Sequence, residues 1–534
     1  MTSFAGRVVR VLALAVGTAG AADFVPPTQD GVGIQAAIDA AAAAGGGRVV
    51  LEKAVYPSGS LRLRSKVELN IPEGALIRGH DCPGLYDDVD DPRIGKAPEN
   101  SKKVFLWCFD GEDIAITGGG VIDGQGPKFY DPNVPLGRTF YLKPPHPRPR
   151  MVELYRCKRV RFEGVTFKDS PGWTFWIRNC EDVAAERIRV VGDQRMINND
   201  GLHFDGCRRM RVRNCLLRTG DDSVVFRAIQ APDRNPEDEV GEDLLVEGCV
   251  LDSACQCVRI GCPDDVLLRH AVFTNCTFRG RNAIASIHPY RYLRFGDRGE
   301  TGRCRMEDIL VVDCDVDVSG SPVVLTVDPG VTLRGFGNVT FRNVRMRGGR
   351  PITLLGTGDS PVENVRFENV SGEIAADTPI RTRATKGLSF DGFRISSAPG
   401  AKSAIVLSPG RTEFMLVSDD PAVRAAADEL KGLLEASVLG DVRFVERPSP
   451  RAATVVIGGP PRRGSFFNVR TDGGKLFLDC TAESARSAVH ALAVRFLPPR
   501  FPDDGRIGDV PLHECLRLPD GLDLDERSSY SDVF

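Results

Sequence analysis

The amino-acid sequence predicts an all-β protein built around a right-handed parallel β-helix, with a short helix before it and a small α/β domain after it. Three observations favour this fold. A strand-like segment recurs nine times, apolar and charged residues alternate within it, and cysteine recurs at its end. A repeat too short to bury its own apolar face stacks on its neighbours, which is the organisation of a solenoid.

The repeat can be followed from the residue that ends each copy. These residues are, in order, Val165, Ile188, Cys215, Cys249, Cys276, Cys314, Val344, Val370 and Phe393. Within the first copy, Val160 and Phe162 alternate with arginines, which is the period of a strand with one buried face. Helical spacing is absent from these copies. The pattern therefore excludes a solenoid of helix pairs and predicts a parallel β-helix with insertions of variable length.

The 534-residue chain contains fifteen cysteines, an odd number that cannot all pair with one another. Disulfide scaffolds are typical of small domains, whereas a buried thiol is small and polarizable enough for a solenoid interior. We expect two columns of reduced thiols, one formed by Cys215, Cys249, Cys276 and Cys314 and the other by Cys157, Cys180 and Cys207. A zinc site at residues 255–262 is not favoured, because no convergent set of Cys or His at zinc spacing follows.

The segment before the repeats contains two further features. In residues 1–22, two arginines precede an apolar run and small residues at A-x-A spacing, so we expect a cleavable signal and a secreted or periplasmic protein; a first β-strand is the alternative. Residues 33–44 are rich in alanine and precede three glycines, which predicts a helix that ends there. Such a helix would cap the exposed end of the solenoid.

The pattern changes after residue 410. Strand-like runs lie at 414–418, 442–447 and 454–459, a hairpin turn at 472–474, and helical patterns at 422–439 and 482–497. We therefore divide the chain into a signal peptide (1–22), a β-helix catalytic domain (23–410), an α/β accessory module (411–500) and an irregular tail (501–534).

The overall charge limits the classes of partner. Lys and Arg number 69 and Asp and Glu 72, a net charge of −3, which excludes a generally basic nucleic-acid binder. After the N-terminal segment, no stretch approaches the roughly 18 apolar residues of a membrane span. We expect a monomer that binds neither nucleic acid nor membrane.

Two acidic motifs, at residues 198–201 (NNDG) and 219–222 (TGDD), are candidates for catalysis. Asp200 and Asp221 are separated by about the length of one coil, and adjacent coils lie roughly 4.8 Å apart. Carboxylates held this close raise at least one pKa and supply an acid and a base at the same pH. Each motif alone is also an ordinary turn sequence. Their spacing by one coil favours a catalytic site.

Together with GGGVIDGQG at 118–126 and RPRMVELYRCKRVRFEGVTFKDSPGWTFW at 148–176, these motifs resemble glycoside hydrolase family 28, the polygalacturonase-like enzymes with a pectin-lyase-like solenoid. The resemblance runs from about residue 35 to 393. It implies inverting hydrolysis of a galacturonan- or rhamnogalacturonan-type bond in a pectin polysaccharide or oligosaccharide, with Asp221 as general acid and Asp200 with Asp222 as base. Inversion needs carboxyl groups roughly 6.5–9.5 Å apart, which adjacent coils can provide. Acid and base carry this reaction, so we expect no metal and no organic cofactor.

The sequence departs from two motifs of the family. Where the family has G-H-G the chain has Ala-Cys-Gln-Cys at 254–257, so either Cys255 or Gln256 takes the histidine position. Where it has R-x-K, which binds the galacturonate carboxylate, residues 283–288 offer no cation at the matching places. The candidate substrate-binding residues are therefore Asn198, His203, Arg227, Gln256, Arg259 and His288.

Two other functions remain open at this point. A β-helix polysaccharide lyase or epimerase would need a base for the C5 proton and usually Ca²⁺, and a carbohydrate-binding relative would need no catalytic group. The paired aspartate motifs favour hydrolysis over the lyase or epimerase, whereas the missing histidine and cations keep the carbohydrate-binding relative open.

Overall fold

The structure is a computed structural model. It describes residues 22–89, 101–134, 140–229, 239–293, 302–376, 378–398, 403–407, 412–416, 420–437, 443–444, 453–459, 467–472, 475–480, 516–519 and 523–525. These residues fall into two compact units, the first within 1–131 and 142–397 and the second within 132–141 and 398–534. No helix in the described ranges is long and apolar enough to cross a membrane.

The first unit is a solenoid whose coils stack through three ladders of parallel strands, here called ladders A, B and C. Ladder A consists of Asp23–Phe24, Gly47–Val50, Val67–Asn70, Glu112–Thr117, Lys158–Glu163, Glu181–Glu186, Arg208–Arg213, Val240–Glu247, Leu267–Thr274, Arg305–Val312, Val339–Arg342, Arg366–Glu368 and Ser389–Asp391. The right-handed parallel β-helix predicted from the sequence is confirmed.

Ladders B and C share two long strands, Val250–Ile260 and Thr277–His288, which run from one ladder into the other. The other strands of ladder B are Val55–Ser58, Leu76–Gly79, Val121–Asp123, Thr166–Lys168, Arg189–Val191, Leu216–Thr219, Asp315–Val318, Arg345–Gly348, Ser371–Ala375 and Arg394–Ala398. Those of ladder C are Leu61–Arg62, Val104–Phe109, Arg150–Tyr155, Phe175–Arg178, Leu202–Asp205, Val224–Arg227, Val323–Val327, Ile352–Leu355 and Ile380–Arg383. Val362–Glu363 and Thr385–Lys386 form a separate pair.

The register of ladder A agrees with the predicted alignment of all nine copies. Phe162 pairs with Ala185 at the start of the series, and Phe367 pairs with Phe390 at its end. The longest predicted step, between the copies that end at Cys276 and Cys314, does not disturb the register, because Phe273 pairs with Val311 on the next coil.

A two-residue corner joins ladder A to ladder B in each of these coils. Its first residue has positive φ, for example 76° at Gly164, 53° at Asn214 and 52° at Asn369. Glycine and asparagine tolerate this left-handed conformation better than other residues. The second corner residue turns inward, and in four successive coils it is a cysteine.

Both predicted cysteine columns are present. The Cys215 backbone N–H donates to Cys249 Sγ (3.4 Å) and the Cys276 N–H to Cys314 Sγ (3.4 Å). In the second column, the Cys157 N–H donates to Cys180 Sγ at 3.3 Å. All fourteen cysteines in the described residues are free thiols.

Helix α1, Gly31–Ala43, lies at the start of the solenoid, as predicted. The Asp30 carboxylate accepts from the N–H of Gly33 at 2.8 Å, which is an N-cap, and Ile34 and Ile38 are buried. The helix ends before Gly45, which has φ 91°. The predicted signal peptide lies outside the described residues, apart from residue 22.

The second unit contains a six-stranded sheet and helix α2, Pro421–Ser437. The sheet order is Arg443–Phe444, Thr412–Leu416, Ala453–Gly459, Lys475–Cys480, Phe467–Asp472 and Asp523–Asp525, and Ser403–Leu407 pairs separately with Leu516–Pro519. The predicted hairpin is the antiparallel pair around 472–475. The predicted helix at 482–497 lies outside the described residues. The irregular tail expected over 501–534 needs correction, because two strands lie within it and complete sheets begun earlier in the chain.

Candidate active site

Asp200, Asp222 and Gln256 occupy the same position on three successive coils. Leu202 is in register with Val224, and the N–H of Gly201 donates to the carbonyl of Asp222 at 2.9 Å. On the next coil, the N–H of Gln256 donates to Asp222 Oδ1 at 3.1 Å. The expected alignment of Asp200 with Asp221 is therefore one position short, and Asp222 is the residue in register with Asp200.

Two glycines allow the acidic turns to approach each other. A Cβ on Gly201 would lie 2.2 Å from the carbonyl oxygen of Ser223, and one on Gly220 would lie 2.2 Å from that of Met196. Any side chain would push the two coils apart at these points. The glycines in both motifs are thus required by close packing between coils and not by turn geometry alone.

Asp221 lies beside this column and is held by the preceding coil. Asn199 Oδ1 accepts from the N–H groups of Gly220 (2.8 Å) and Asp221 (3.1 Å). The Asp221 carboxylate accepts from the N–H of Asn198 at 3.2 Å through Oδ2 and from that of Asp222 at 3.1 Å through Oδ1. The two motifs are joined by direct hydrogen bonds, as their spacing predicted.

A β-bulge brings a thiol to the same place. The register between the two long strands shifts between Ser253 and Gln256, so that an extra residue is accommodated there. Bulges bend a strand and redirect its side chains. Cys255 Sγ and a carboxylate oxygen from each of Asp221 and Asp222 lie within 4.8 Å of one another. Of the two residues that the sequence left open for the histidine position, Gln256 lies in the column and Cys255 supplies the thiol.

The electrostatic environment favours a proton at Asp222. Burial and the neighbouring carboxylate of Asp221 raise the pKa of Asp222 to about 7, against the opposing effects of Arg259, Cys255 and the Gln256 N–H. Burial and the same two carboxylates raise the pKa of the Cys255 thiol well above its usual value. Near neutral pH the Asp222 carboxyl group can therefore both release and take up a proton, which is the condition for acid–base work.

Two arginines supply positive charge at the site. Arg259, which is half-buried, lowers the pKa of Asp222, and Arg281, which is exposed, lowers that of Cys255. The Arg259 guanidinium donates to the Ile287 carbonyl at 3.0 Å. Arg259 is in register with Ala285 on the next coil. The cation that residues 283–288 lack at the R-x-K position is therefore present one coil earlier, in the same row of residues across the coils.

His203 lies in that row too, but it is 1% exposed. Its ring packs on Trp173, with centroids 4.1 Å apart. Burial, and then the charges of Arg227, Arg259 and Arg178, keep its pKa well below the usual value. Within the described residues neither ring nitrogen has a hydrogen-bond partner. His203 is therefore a buried, neutral ring that packs on Trp173.

Two predicted substrate-binding residues are engaged elsewhere. Arg227 forms a bidentate ion pair with Asp265, with distances of 2.6 and 2.9 Å. His288 is completely buried, and its Nε2 lies 2.8 Å from Ser286 Oγ. Neither side chain is therefore available to bind a sugar at the three aspartates.

Sequence analysis missed two residues that support the site. Asn199 is the first, and the only sequence signal for it is its position beside Asp200 in the NNDG motif. The second is Arg148, which is 4% exposed and donates to the carbonyls of Pro171 and Ile197 at 2.9 Å and to Asn198 Oδ1 at 3.1 Å. No local pattern in the sequence distinguishes this arginine from an exposed one such as Arg156.

The sequence and the fold are similar to those of known proteins. The family model "Glycosyl hydrolases family 28" matches residues 95–232. A polygalacturonase of Persea americana is 26% identical over 129 residues, 24% of this chain and 27% of that protein. A probable polygalacturonase of Vitis vinifera is 28% identical over 189 residues, 34% of this chain and 37% of that protein. The chain thus spans less than two-fifths of the length of these relatives.

Among solved structures, a hyperthermoactive exopolygalacturonase of Thermotoga maritima has a TM-score of 0.57 and 21% identity, covering 70% of this chain and 92% of that one. This likeness concerns the fold. The family model, in contrast, covers the segment that contains all three aspartates. The resemblance to glycoside hydrolase family 28 predicted from the motifs is therefore confirmed, and residues 95–232 are the part of the chain that matches the family model.

Proposed function

We propose that the chain is an inverting glycoside hydrolase that cleaves a galacturonan- or rhamnogalacturonan-type bond. Asp221 acts as the general acid, and Asp200 and Asp222 hold and deprotonate the attacking water. Support comes from the family match and from the names of the relatives, which are polygalacturonases.

The observation that carries this proposal is the convergence of three aspartates from two adjacent coils. Asp221 is half-buried and fixed by two backbone N–H groups, while Asp200 and Asp222 are 5% and 7% exposed. Hydrolysis by inversion needs one carboxylic acid and one carboxylate at the same time. Burial and the charge of Asp221 raise the pKa of Asp222 to about 7, so this neighbouring pair retains one proton below that pH, and we propose that the proton is delivered to the leaving oxygen from Asp221.

We propose that the substrate is anionic and that Arg259 and Arg281 bind its carboxylate. The charge of Arg259 acts on Asp222 and that of Arg281 on the neighbouring Cys255, whereas Arg227 is neutralised by Asp265. In the same proposal, Gln256 and Asn198 contact hydroxyl groups of the sugar. In this proposal His203 and His288 support the site from inside the protein.

The test is to incubate the protein with polygalacturonate, rhamnogalacturonan and their oligomers. New reducing ends without the ultraviolet absorbance of unsaturated uronates would support hydrolysis, and inversion would be read from the anomer first released. Unsaturated products would instead indicate a lyase. No turnover on any uronic-acid polymer would contradict the proposed function.

Matched variants make the test specific. Asp221→Asn should abolish turnover, because an amide cannot protonate the leaving oxygen. Asp182→Asn is the control, since Asp182 lies on ladder A with φ 56°, a conformation that asparagine tolerates. The control should retain full activity.

The remaining assignments are also proposals. Residues 23–410 would form the catalytic domain and 411–500 an accessory module. The pattern in residues 1–22 supports export. We further propose that the protein is a monomer. N-terminal sequencing of the protein recovered from culture medium would test the export, and the mass in solution would test the oligomeric state.

A further inference from the structure

We propose that Asp221, Asp222 and Cys255 form a binding site for one zinc ion or a similar borderline-soft divalent cation, with the carboxamide oxygen of Gln256 as a further ligand. The site itself does not depend on the proposed function. Only its expected inhibitory effect rests on that function.

The first argument is distance. One atom from each of the three side chains lies within 4.8 Å of the other two. With zinc–ligand bonds of about 2.0–2.3 Å, ligand atoms around one ion are roughly 3.3–3.8 Å apart. Small side-chain rotations of Asp221, Asp222 and Cys255 would close the difference.

The second argument is the side chain of Gln256. It is 7% exposed, and its Oε1 has no hydrogen-bond partner in the described part of the chain. Leaving a buried polar atom unsatisfied is energetically unfavourable, so the atom requires an explanation.

The carboxamide of Gln256 also points toward the cluster. Its Nε2 lies 3.6 Å from Cys255 Sγ. A half-turn about the last side-chain bond exchanges the oxygen and nitrogen of an amide. After this rotation Oε1 would face an ion bound to Cys255, and Nε2 would occupy the position that Oε1 has in the structure.

The position of Cys255 is the third argument. It belongs to neither cysteine column, and it reaches the carboxylates only through the bulge between Ser253 and Gln256. A thiolate with carboxylate and amide oxygens suits zinc and its borderline neighbours. Calcium takes six to eight oxygen ligands, which this set does not offer. The donor set therefore selects against hard cations.

A bound ion would occupy the two carboxylates of Asp221 and Asp222. If these are the acid and one of the bases, zinc should inhibit hydrolysis and a chelator should restore it. The direct test nevertheless measures binding without substrate, so that it can fail independently of the proposed function.

The experiment is equilibrium dialysis of the full chain against zinc, with the metal counted per chain. The wild type should bind one ion, and Cys255→Ser should bind it about tenfold or more weakly, since even outer residues of a metal site change affinity by 10–100-fold. Cys82→Ser is the matched control, because Cys82 is exposed and lies outside the cluster. It should bind zinc like the wild type, and calcium should bind to none of the three.

A second measurement does not require the Cys255→Ser variant to fold. Cobalt(II) added to the Cys82→Ser protein should give the charge-transfer absorption of a thiolate ligand. Absence of that absorption, failure of the wild type to bind zinc, or equal zinc affinity in folded Cys255→Ser would each overturn the proposal.

Discussion

The side chain of Asn199 fixes the backbone of Asp221 across two coils, with Oδ1 accepting N–H groups from Gly220 at 2.8 Å and Asp221 at 3.1 Å. Its Nδ2 donates to the Asp193 carbonyl at 2.9 Å, so the amide is satisfied at both ends. Asn199 is 2% exposed and does not itself face a substrate. It is a positioning residue for the proposed general acid.

Asn199→Ala should therefore lower kcat more than it changes KM. A displacement of about 1 Å at a reacting group costs up to roughly 100-fold in rate, and the unsatisfied N–H groups should reduce the free energy of unfolding by about 1–3 kcal/mol. Steady-state kinetics and denaturant unfolding provide the two readouts. Asn70→Ala removes a comparable hydrogen bond to Thr117 on ladder A and should leave kcat unchanged. Equal kcat losses in both variants would argue against a positioning role.

The pH profile of kcat/KM should reflect Asp222. Its pKa of about 7 means that its carboxylate, needed as base, is lost as the pH falls below neutrality. Arg259 stabilises the ionised form, so Arg259→Gln should move the acidic limb of the profile to higher pH. The control is Arg347→Gln, an exposed arginine three coils further along, which should leave the limb in place. A limb that does not move in Arg259→Gln would disprove the electrostatic coupling.

Stability should fall in acid because of buried neutral histidines. Burial, with the charges of Arg259 and Arg227, lowers the pKa of His288 to about 3, whereas an unfolded histidine titrates near 6.5. Between these values the unfolded chain binds more protons than the folded one. The stabilisation is thus complete above pH 6.5 and is lost as the pH falls toward 3.

The free energy of unfolding should change by up to about 1.4 kcal/mol per pH unit from this one group in that interval. His288→Gln removes the titration and should flatten the slope, while His146→Gln, at an exposed position, should not. Parallel slopes for the wild type and His288→Gln in urea unfolding from pH 3 to 7 would refute this attribution.

Gly220→Ala should damage both stability and activity. The added Cβ would lie 2.2 Å from the Met196 carbonyl oxygen and 2.7 Å from Asn199 Oδ1, so the two acidic turns must separate. Overpacking of this kind typically costs about 1–3 kcal/mol. Gly358→Ala is the matched control, because a Cβ there meets no atom within 4 Å. Thermal unfolding and turnover of the two variants should diverge, and similar values for both would show that the turns tolerate separation.

The solenoid could be predicted in detail because its information is local and repeated. The alternation of apolar and charged residues predicts which face of each strand is buried. Every predicted repeat, from the one that ends at Val165 to the one that ends at Phe393, agrees with the register of ladder A. The corner residues contribute to this agreement. Each corner has a residue with positive φ followed by an inward-facing residue, and this gives a recognisable pair in the sequence, such as Asn214-Cys215 or Gly248-Cys249.

The site was less predictable because its geometry depends on contacts between coils. Asp200 and the Asp221–Asp222 pair could be found from their spacing, but the choice of Asp222 as the residue beside Asp200 depends on strand register. Burial could not be read from sequence either. The sequence offered Arg227 and His288 as binding side chains, and the structure engages them with Asp265 and Ser286. The bulge that turns Cys255 toward the aspartates left no sequence signal.

The constant two-residue corner between ladders A and B has a consequence for how such a protein can change over evolution. Extra residues in the longer repeats lie at the other corners, for example between Arg227 and Val240 and between His288 and Arg305. Insertions there leave the stacking register intact. A whole coil could therefore be gained or lost without misaligning its neighbours, and new loops could change the surroundings of the three aspartates while the aspartates keep their positions.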